Sequence, residues 1–446
     1  MSNGFLRVNG KDFYRDDEKI ILRGYGIGSW LNLEHFMLGI PGTDSQMRTA
    51  ITNAYGKDNA KKFWQKFYKA MVDKSDFEFL KSLGVNAVRI AFNYRLFEND
   101  QNPYSYMEEG FEQIDRALGL CEQYGIYAIL DLHSAPGWQN PDWHCDNPTG
   151  ESLFWEHADF RKRTMALWKH IASHYAANKW VAAYDLMNEP VVITVDRKNL
   201  NQVSTDLINE IRKVDKNHII FVQGDMYSSH FDLFEPFEDP NVACSFHFYP
   251  FLFQHLYTKK QSQKEQIEHT LFENVTLKDV SERLKRPVWC GETGGLYSDD
   301  NKAQQESMLG DILDIYEKYG ISWSIWTYKD ACSMGTMHPK KDSDWMRFSG
   351  STKQKRDFWD EFKFRDSFVD ELAKKYSMEI SSLEKRKLGF RILANNQLVM
   401  KEVYTKLLGD IPFETFLSYA DSFKYSNCEC WDGVANLVRK YAKPKK

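Results

Sequence analysis

The sequence predicts an α/β fold: a (β/α)8 TIM barrel with a C-terminal helical extension. Three observations predict it. Eight short apolar segments alternate with amphipathic helical stretches between residues 20 and 330, the pattern of parallel strands joined by crossover helices. Eight is the number that closes such a barrel. Several of these segments end on polar or aromatic residues, and a parallel barrel gathers its strand ends on one face.

Residues 1–19 read as an N-terminal β-hairpin entry, because Asn9-Gly10 between short apolar runs is a hairpin signal. The first barrel strand is expected at 20–28. It opens into a long loop, 29–43, carrying Trp30, Asn32, Glu34, His35 and Phe36. Helical periodicity over 60–83 stops at Gly84. Strands at 86–92 and 127–133 flank a helix at 109–124 that Gly125 ends, and a second helix follows at 158–177. The fourth strand, 181–189, begins in an apolar run, as in a strand covered on both faces, and stops at Pro190, which cannot continue a ladder. A helix at 200–214 leads to strand five, 218–224. Residues 225–241 then show little helix. Strand six is 242–250, with helical sequence at 265–284. Strand seven is 287–295, followed by a helix at 302–319 and strand eight at 321–328.

Past Lys329 the rhythm changes to a loop, 330–351, and a helix, 358–376, placed to serve as the eighth barrel helix. Two or three more helices follow between 399 and 441. The expected organisation is therefore an entry at 1–19, a catalytic barrel at 20–376 and a helical extension at 377–446 packed on the barrel. No internal repeat or low-complexity linker divides the chain.

Composition narrows the function classes. A hydrophobic share of 42% and a charged share of 27% belong to a globular chain. A net charge of −5 argues against a nucleic-acid partner. The aromatic share of 15% suits either core packing or a cleft that stacks on flat ligands such as sugar rings. Seven cysteines cannot all pair, and Cys428 and Cys430 have the wrong spacing for a zinc knuckle. Free thiols and a start without signal-peptide character predict a cytoplasmic location, and no apolar run is long enough for membrane insertion. The Lys-rich segments 259–260 and 443–446 read as solvated.

The chemistry lies in the strand ends. Arg89, His133, Asn188-Glu189, His247, Tyr249, Glu292 and Trp326 stand at or near the ends of six different strands. Two carboxylates on opposite sides of one mouth, with no metal motif, fit cleavage of a glycosidic bond. One carboxyl must give a proton to the leaving oxygen while the other, ionised, attacks the anomeric carbon; Arg89 is the natural partner of the ionised one. A strand-end Glu taken singly is more simply a salt-bridge partner, but the paired context favours catalysis. His144-Cys145 lacks a second ligand pair, so it reads as loop and no metal is expected. Trp138, Trp143 and Trp155 either line outer sugar sites or pack their own loop. Gly24, Gly26 and Gly28 resemble half of a dinucleotide fingerprint without its helix, and no cofactor is expected.

This ordered set resembles glycoside hydrolase family five, the cellulase-like retaining enzymes, over residues 20–330. The resemblance implies Glu189 as acid/base, Glu292 as nucleophile and Asn188 on the sugar 2-hydroxyl. It implies His247 and Tyr249 beside the two carboxylates, Arg89 holding Glu292 ionised, His133 on the sugar and Trp326 as its stacking floor. The stretch 26–34, Gly-Ile-Gly-Ser-Trp-Leu-Asn-Leu-Glu, is similar to the exo-glucanase-like branch, as residues 326–330 are to that branch and its endoglycoceramidase-like relatives. Trp30 and Glu34 of that stretch are expected substrate contacts, and Trp138, in the loop after strand three, is counted with them. The expected function is a retaining β-glycosidase, exo-acting on β-glucosides or other small or oligosaccharide β-glycosides. The alternatives are an endo-acting β-glycanase, a β-mannosidase and, in another class, a non-catalytic carbohydrate-binding barrel.

Overall fold

A computed structural model describes residues 4–192, 199–257, 261–331, 334–356 and 361–443. Its centre is a closed barrel of eight strands, all paired in parallel and in chain order. The strands are Arg23–Leu31, Ala87–Asn93, Tyr127–Ser134, Val181–Asp185, Ile219–Gln223, Val242–His247, Val288–Thr293 and Ser322–Ile325. The predicted (β/α)8 barrel is the observed one. Their near-complete burial follows from the helices outside and the packed interior within.

The N-terminal entry has three antiparallel strands rather than two, Leu6–Asn9, Asp12–Arg15 and Glu18–Ile20. Ile20 pairs with Phe13 in this small sheet, so the first barrel strand starts three residues later than expected, at Arg23. Leu6 and Phe13 join Ala87, Ile129, Ala183, Phe221, Ala243 and Trp289 in one buried cluster. The small sheet thus plugs the N-terminal end of the barrel with apolar side chains.

Helix boundaries follow local chemistry. Thr43 and Gln46 form a capping box that starts an unanticipated helix, Asp44–Tyr55. The stretch 60–83 is two helices, Lys57–Met71 and Lys74–Leu83, because Asp73 and Asp76 form a second capping box at the break. Gly84 ends the pair at φ 88°, where a side chain would be strained.

The last helix, Asp432–Ala442, lies between the helices Lys302–Tyr319 and Lys74–Leu83. Tyr441 Oη donates to Asp314 at 2.5 Å, and Ala442 and Lys443 crowd Gly84. That is the place of the eighth barrel helix, which the sequence reading gave to 358–376. Of that stretch, 358–360 lie outside the described residues, and Glu361–Tyr376 packs instead on Ser382–Gly409. Ser382–Gly409 in turn packs on Asp44–Tyr55, where Tyr55 Oη donates to Leu408 O at 2.8 Å. Lys259, Lys260 and 444–446 also lie outside the described residues. No described helix is long and apolar enough to cross a membrane.

Candidate active site

Above the apolar plug sits a buried charged layer. Arg89, fully buried in strand two, donates from Nη1 to Glu292 Oε1 at 2.7 Å, from Nε to Asp185 at 3.0 Å and from Nη2 to Asn188 Oδ1 at 2.7 Å. Its Nη2 also pairs with Asp131 at 3.0 Å. Strand alternation brings this about: Asp131 and His133 are two apart in strand three and face the same way. One guanidinium thereby ties strands two, three, four and seven. Burial pushes Asp185 up to about 6, against the pull of Arg89. Gln223 of strand five donates to Asp185 and accepts the Glu189 backbone N–H at 2.8 Å, so the layer also positions Glu189.

Strand four stops at Asp185, not at Glu189. Asn188 still donates its backbone N–H to Leu132 O at 3.0 Å, and Glu189 then takes φ 49° in the left-handed region. This turn aims the carboxyl over the barrel mouth. His247 Nδ1 lies 2.7 Å from Glu189 Oε1, and His144 Nε2 lies 3.2 Å from Oε2. Burial works to raise the Glu189 pKa, but hydrogen bonds and positive charge from the two imidazoles outweigh it and hold the carboxyl well below the usual range.

Glu292 has a different shell. Tyr249 Oη donates to its Oε2 at 2.6 Å while Arg89 occupies Oε1. A register shift between Phe246 and His247 pairs His247 with Glu292. One oxygen of each carboxylate and a ring nitrogen of His247 all lie within 4.8 Å of one another.

His133 completes the floor. Its Nδ1 lies 2.7 Å from Asp131 and its Nε2 is 3.5 Å from Glu34 Oε1. Burial opposes its protonation, but Asp131 and Glu34 raise it to about 10. Its ring lies parallel to Trp326, 2° apart in plane at 5.2 Å. Gly26 and Gly28 explain themselves here: a Cβ on either would stand 2.4 or 2.5 Å from the Trp326 ring. Their spacing reflects the indole, not a dinucleotide.

Glu34, His133, Asn188, Glu189, Tyr249, Glu292 and Trp326 line one cavity of about 500 Å³. Its rim is apolar, formed by Phe36, Trp143, Phe251, Leu252, Leu296 and Met334. Two expected contacts are elsewhere. Trp30 is fully buried, with its indole N–H on Tyr68 O at 3.0 Å, because its side chain faces the outer helix Lys57–Met71. Trp138 stands outside the cavity lining, at the turn that follows strand three. Of the three tryptophans left open, Trp143 lines the cavity while Trp155 packs its loop through Gln139 O. Asp131, Asp185 and Gln223 are absent from the expected site set, and His144, expected as plain loop, stands in the site. Asp131 alone had a signal, its period-two relation to His133.

Residues 43–331 match the family model described as cellulase (glycosyl hydrolase family 5). The chain is 36% identical over 365 residues to a β-xylosidase of Phanerodontia chrysosporium, covering 77% of this chain and 74% of that protein. It is 26% identical over 306 residues to endoglucanase C of Acetivibrio thermocellus, covering 60% and 87% of the two. Among solved structures, endoglucanase Cel5A of Thermotoga maritima matches with a TM-score of 0.51 at 19% identity, over 73% of this chain and 93% of its own. An endogalactoceramidase matches at 0.55 and 18%, over 73% and 75%. At these identities the two structures speak for the fold.

Proposed function

The chain belongs to glycosyl hydrolase family 5 and is a glycoside hydrolase, and from that premise we propose a retaining β-glycosidase that removes single sugars from β-glucosides or similar small β-glycosides. The observation that carries this reading is the approach of Glu189 and Glu292 to within 4.8 Å. Carboxyl groups about 5 Å apart suit direct attack, whereas inverting enzymes keep them farther apart to seat a water.

The two shells divide the roles. Arg89 and Tyr249 give Glu292 one hydrogen bond on each oxygen and a neighbouring positive charge, so Glu292 attacks the anomeric carbon. Glu189 passes to the leaving oxygen, as that bond breaks, a proton drawn from the imidazoles that otherwise hold it ionised. It then takes a proton from the water that displaces the sugar from Glu292. Asn188 and His133 present polar atoms to the sugar, and Trp326 forms its floor. Glu34, buried beside His133 with Oε1 free of hydrogen bonds, faces the same sugar.

Exo action is supported by the loops after strands one and three. His35 and Phe36 meet Trp143 at ring distances of 4.2 and 5.3 Å, and Asn32 Nδ2 donates to His144 O at 2.9 Å. These contacts wall one side of the cleft, as a site for a terminal sugar requires. The β-xylosidase relative favours a second reading in which the sugar is xylose. The six described thiols are all unpaired, which supports a reducing compartment such as the cytoplasm.

A panel of aryl β-glycosides including glucoside, mannoside, galactoside and xyloside identifies the sugar. On the best of these, Glu292→Ala abolishes turnover, and azide restores it with inverted product. Full activity in that variant overturns the assignment. On an oligosaccharide ladder, early release of anything but the terminal monosaccharide refutes exo action.

A further inference from the structure

The acid/base glutamate has an imidazole on each oxygen. His247 belongs to the expected set; His144, from the loop after strand three, does not. Its Nε2 lies 3.2 Å from Glu189 Oε2, its side chain is 12% exposed, and it lines the cavity.

The loop holds that ring firmly. Asn140 Nδ2 donates to Glu189 O, and it also lies 2.9 Å from His144 Nε2, a contact that is a hydrogen bond only while that nitrogen carries no proton. Asn140 O is held in turn by Asn147 Nδ2 at 2.8 Å and by the Cys145 thiol at 3.2 Å. Tyr227 Oη donates to Asp142 at 2.7 Å, and Asn32 holds the His144 carbonyl. Thus the loops after strands one, three and five all fix where this imidazole stands.

His247 lies between the two carboxylates, 2.7 Å from Glu189 Oε1 and 3.6 Å from Glu292 Oε2. The other Glu189 oxygen, Oε2, turns toward the loop after strand three. We propose that His144 is a positioning residue for proton transfer, holding Glu189 Oε2 in line with the leaving-group oxygen. The inference rests on Glu189 being the acid/base. In the step concerned, the proton leaves the Glu189 carboxyl for the glycosidic oxygen, the bond from that oxygen to the anomeric carbon breaks, and Glu292 forms the new bond. An imidazole that fixes the Glu189 carboxyl matters in proportion to how much the leaving group needs that proton.

The test is kcat/KM over aryl β-glycosides of the preferred sugar whose phenols span a wide range of acidity. His144→Ala is expected to lose about threefold on the dinitrophenyl glycoside and about 100-fold on the unactivated phenyl glycoside, within the range of general-acid effects. His144→Gln, whose amide N–H also reaches Oε2, is expected to flatten that dependence again. A loss of equal size across the series means that His144 only shapes the pocket, and overturns the proposal. So does a Gln variant as steep as the Ala variant. The underlying reading is tested separately by Glu189→Ala: if it still turns over the phenyl glycoside at the wild-type rate, Glu189 is not the acid/base, whatever His144 does.

Discussion

Arg89 Nη1 stands 2.7 Å from Glu292 Oε1, although 203 residues separate the two in the chain. The same guanidinium meets Asp131, Asp185 and Asn188. A single buried cation therefore ties four strands together and pairs with the Glu292 carboxylate.

Arg89→Met keeps much of the side chain's bulk but leaves Asp131, Asp185 and Glu292 without their cation. Stripping one partner from a buried ion pair costs about 3–5 kcal/mol. Urea unfolding is expected to show a loss of that size together with loss of activity. A change below about 1 kcal/mol would mean the layer is not held by this charge.

Tyr249→Phe removes one hydrogen bond from Glu292 Oε2 and keeps the ring. Hydrogen bonds to charged groups contribute roughly 1.5–3 kcal/mol, which corresponds to about a 10- to 100-fold drop in kcat/KM. Steady-state kinetics on an aryl glycoside checks it, with urea unfolding run beside it to read what the same bond contributes to stability.

The His133 imidazole titrates at about 10 in the fold, against 6.5 ordinarily. A pKa raised on folding adds stability that is complete below the ordinary value and fades as pH climbs through the folded one. Wild type should accordingly lose stability relative to His133→Asn between about pH 6.5 and 10. Urea midpoints of both proteins across that range decide it; parallel curves would show that His133 is neutral in the fold.

Gly26→Ala places a Cβ 2.4 Å from Trp326 Cε3, so the ring must shift within the cavity. Overpacking of this kind costs about 1–3 kcal/mol. If the ring is the sugar floor, the expected kinetic signature is a raised KM with a smaller change in kcat, because an indole transfers no proton. Wild-type KM would show that the indole is not the sugar floor.

The barrel and most of the polar strand-end set were legible in the sequence because both rest on short-range regularities. Period-two burial, helix caps and Gly or Pro stops are written within a few residues, and the barrel topology then brings the strand ends together. The same regularities do not say which way a side chain leaves a loop. Trp30 and Trp143 look alike in the chain, yet Trp30 enters the core beneath Tyr68 while Trp143 faces the cavity. His144 reaches Glu189 across 45 positions only because Asn140 and Asn32 hold its loop there, and the eighth helix proves to be Asp432–Ala442, which the packing of Tyr441 and Gly84 selects over a nearer candidate. Contacts between distant segments set these outcomes, and their energies depend on partners that no local pattern names.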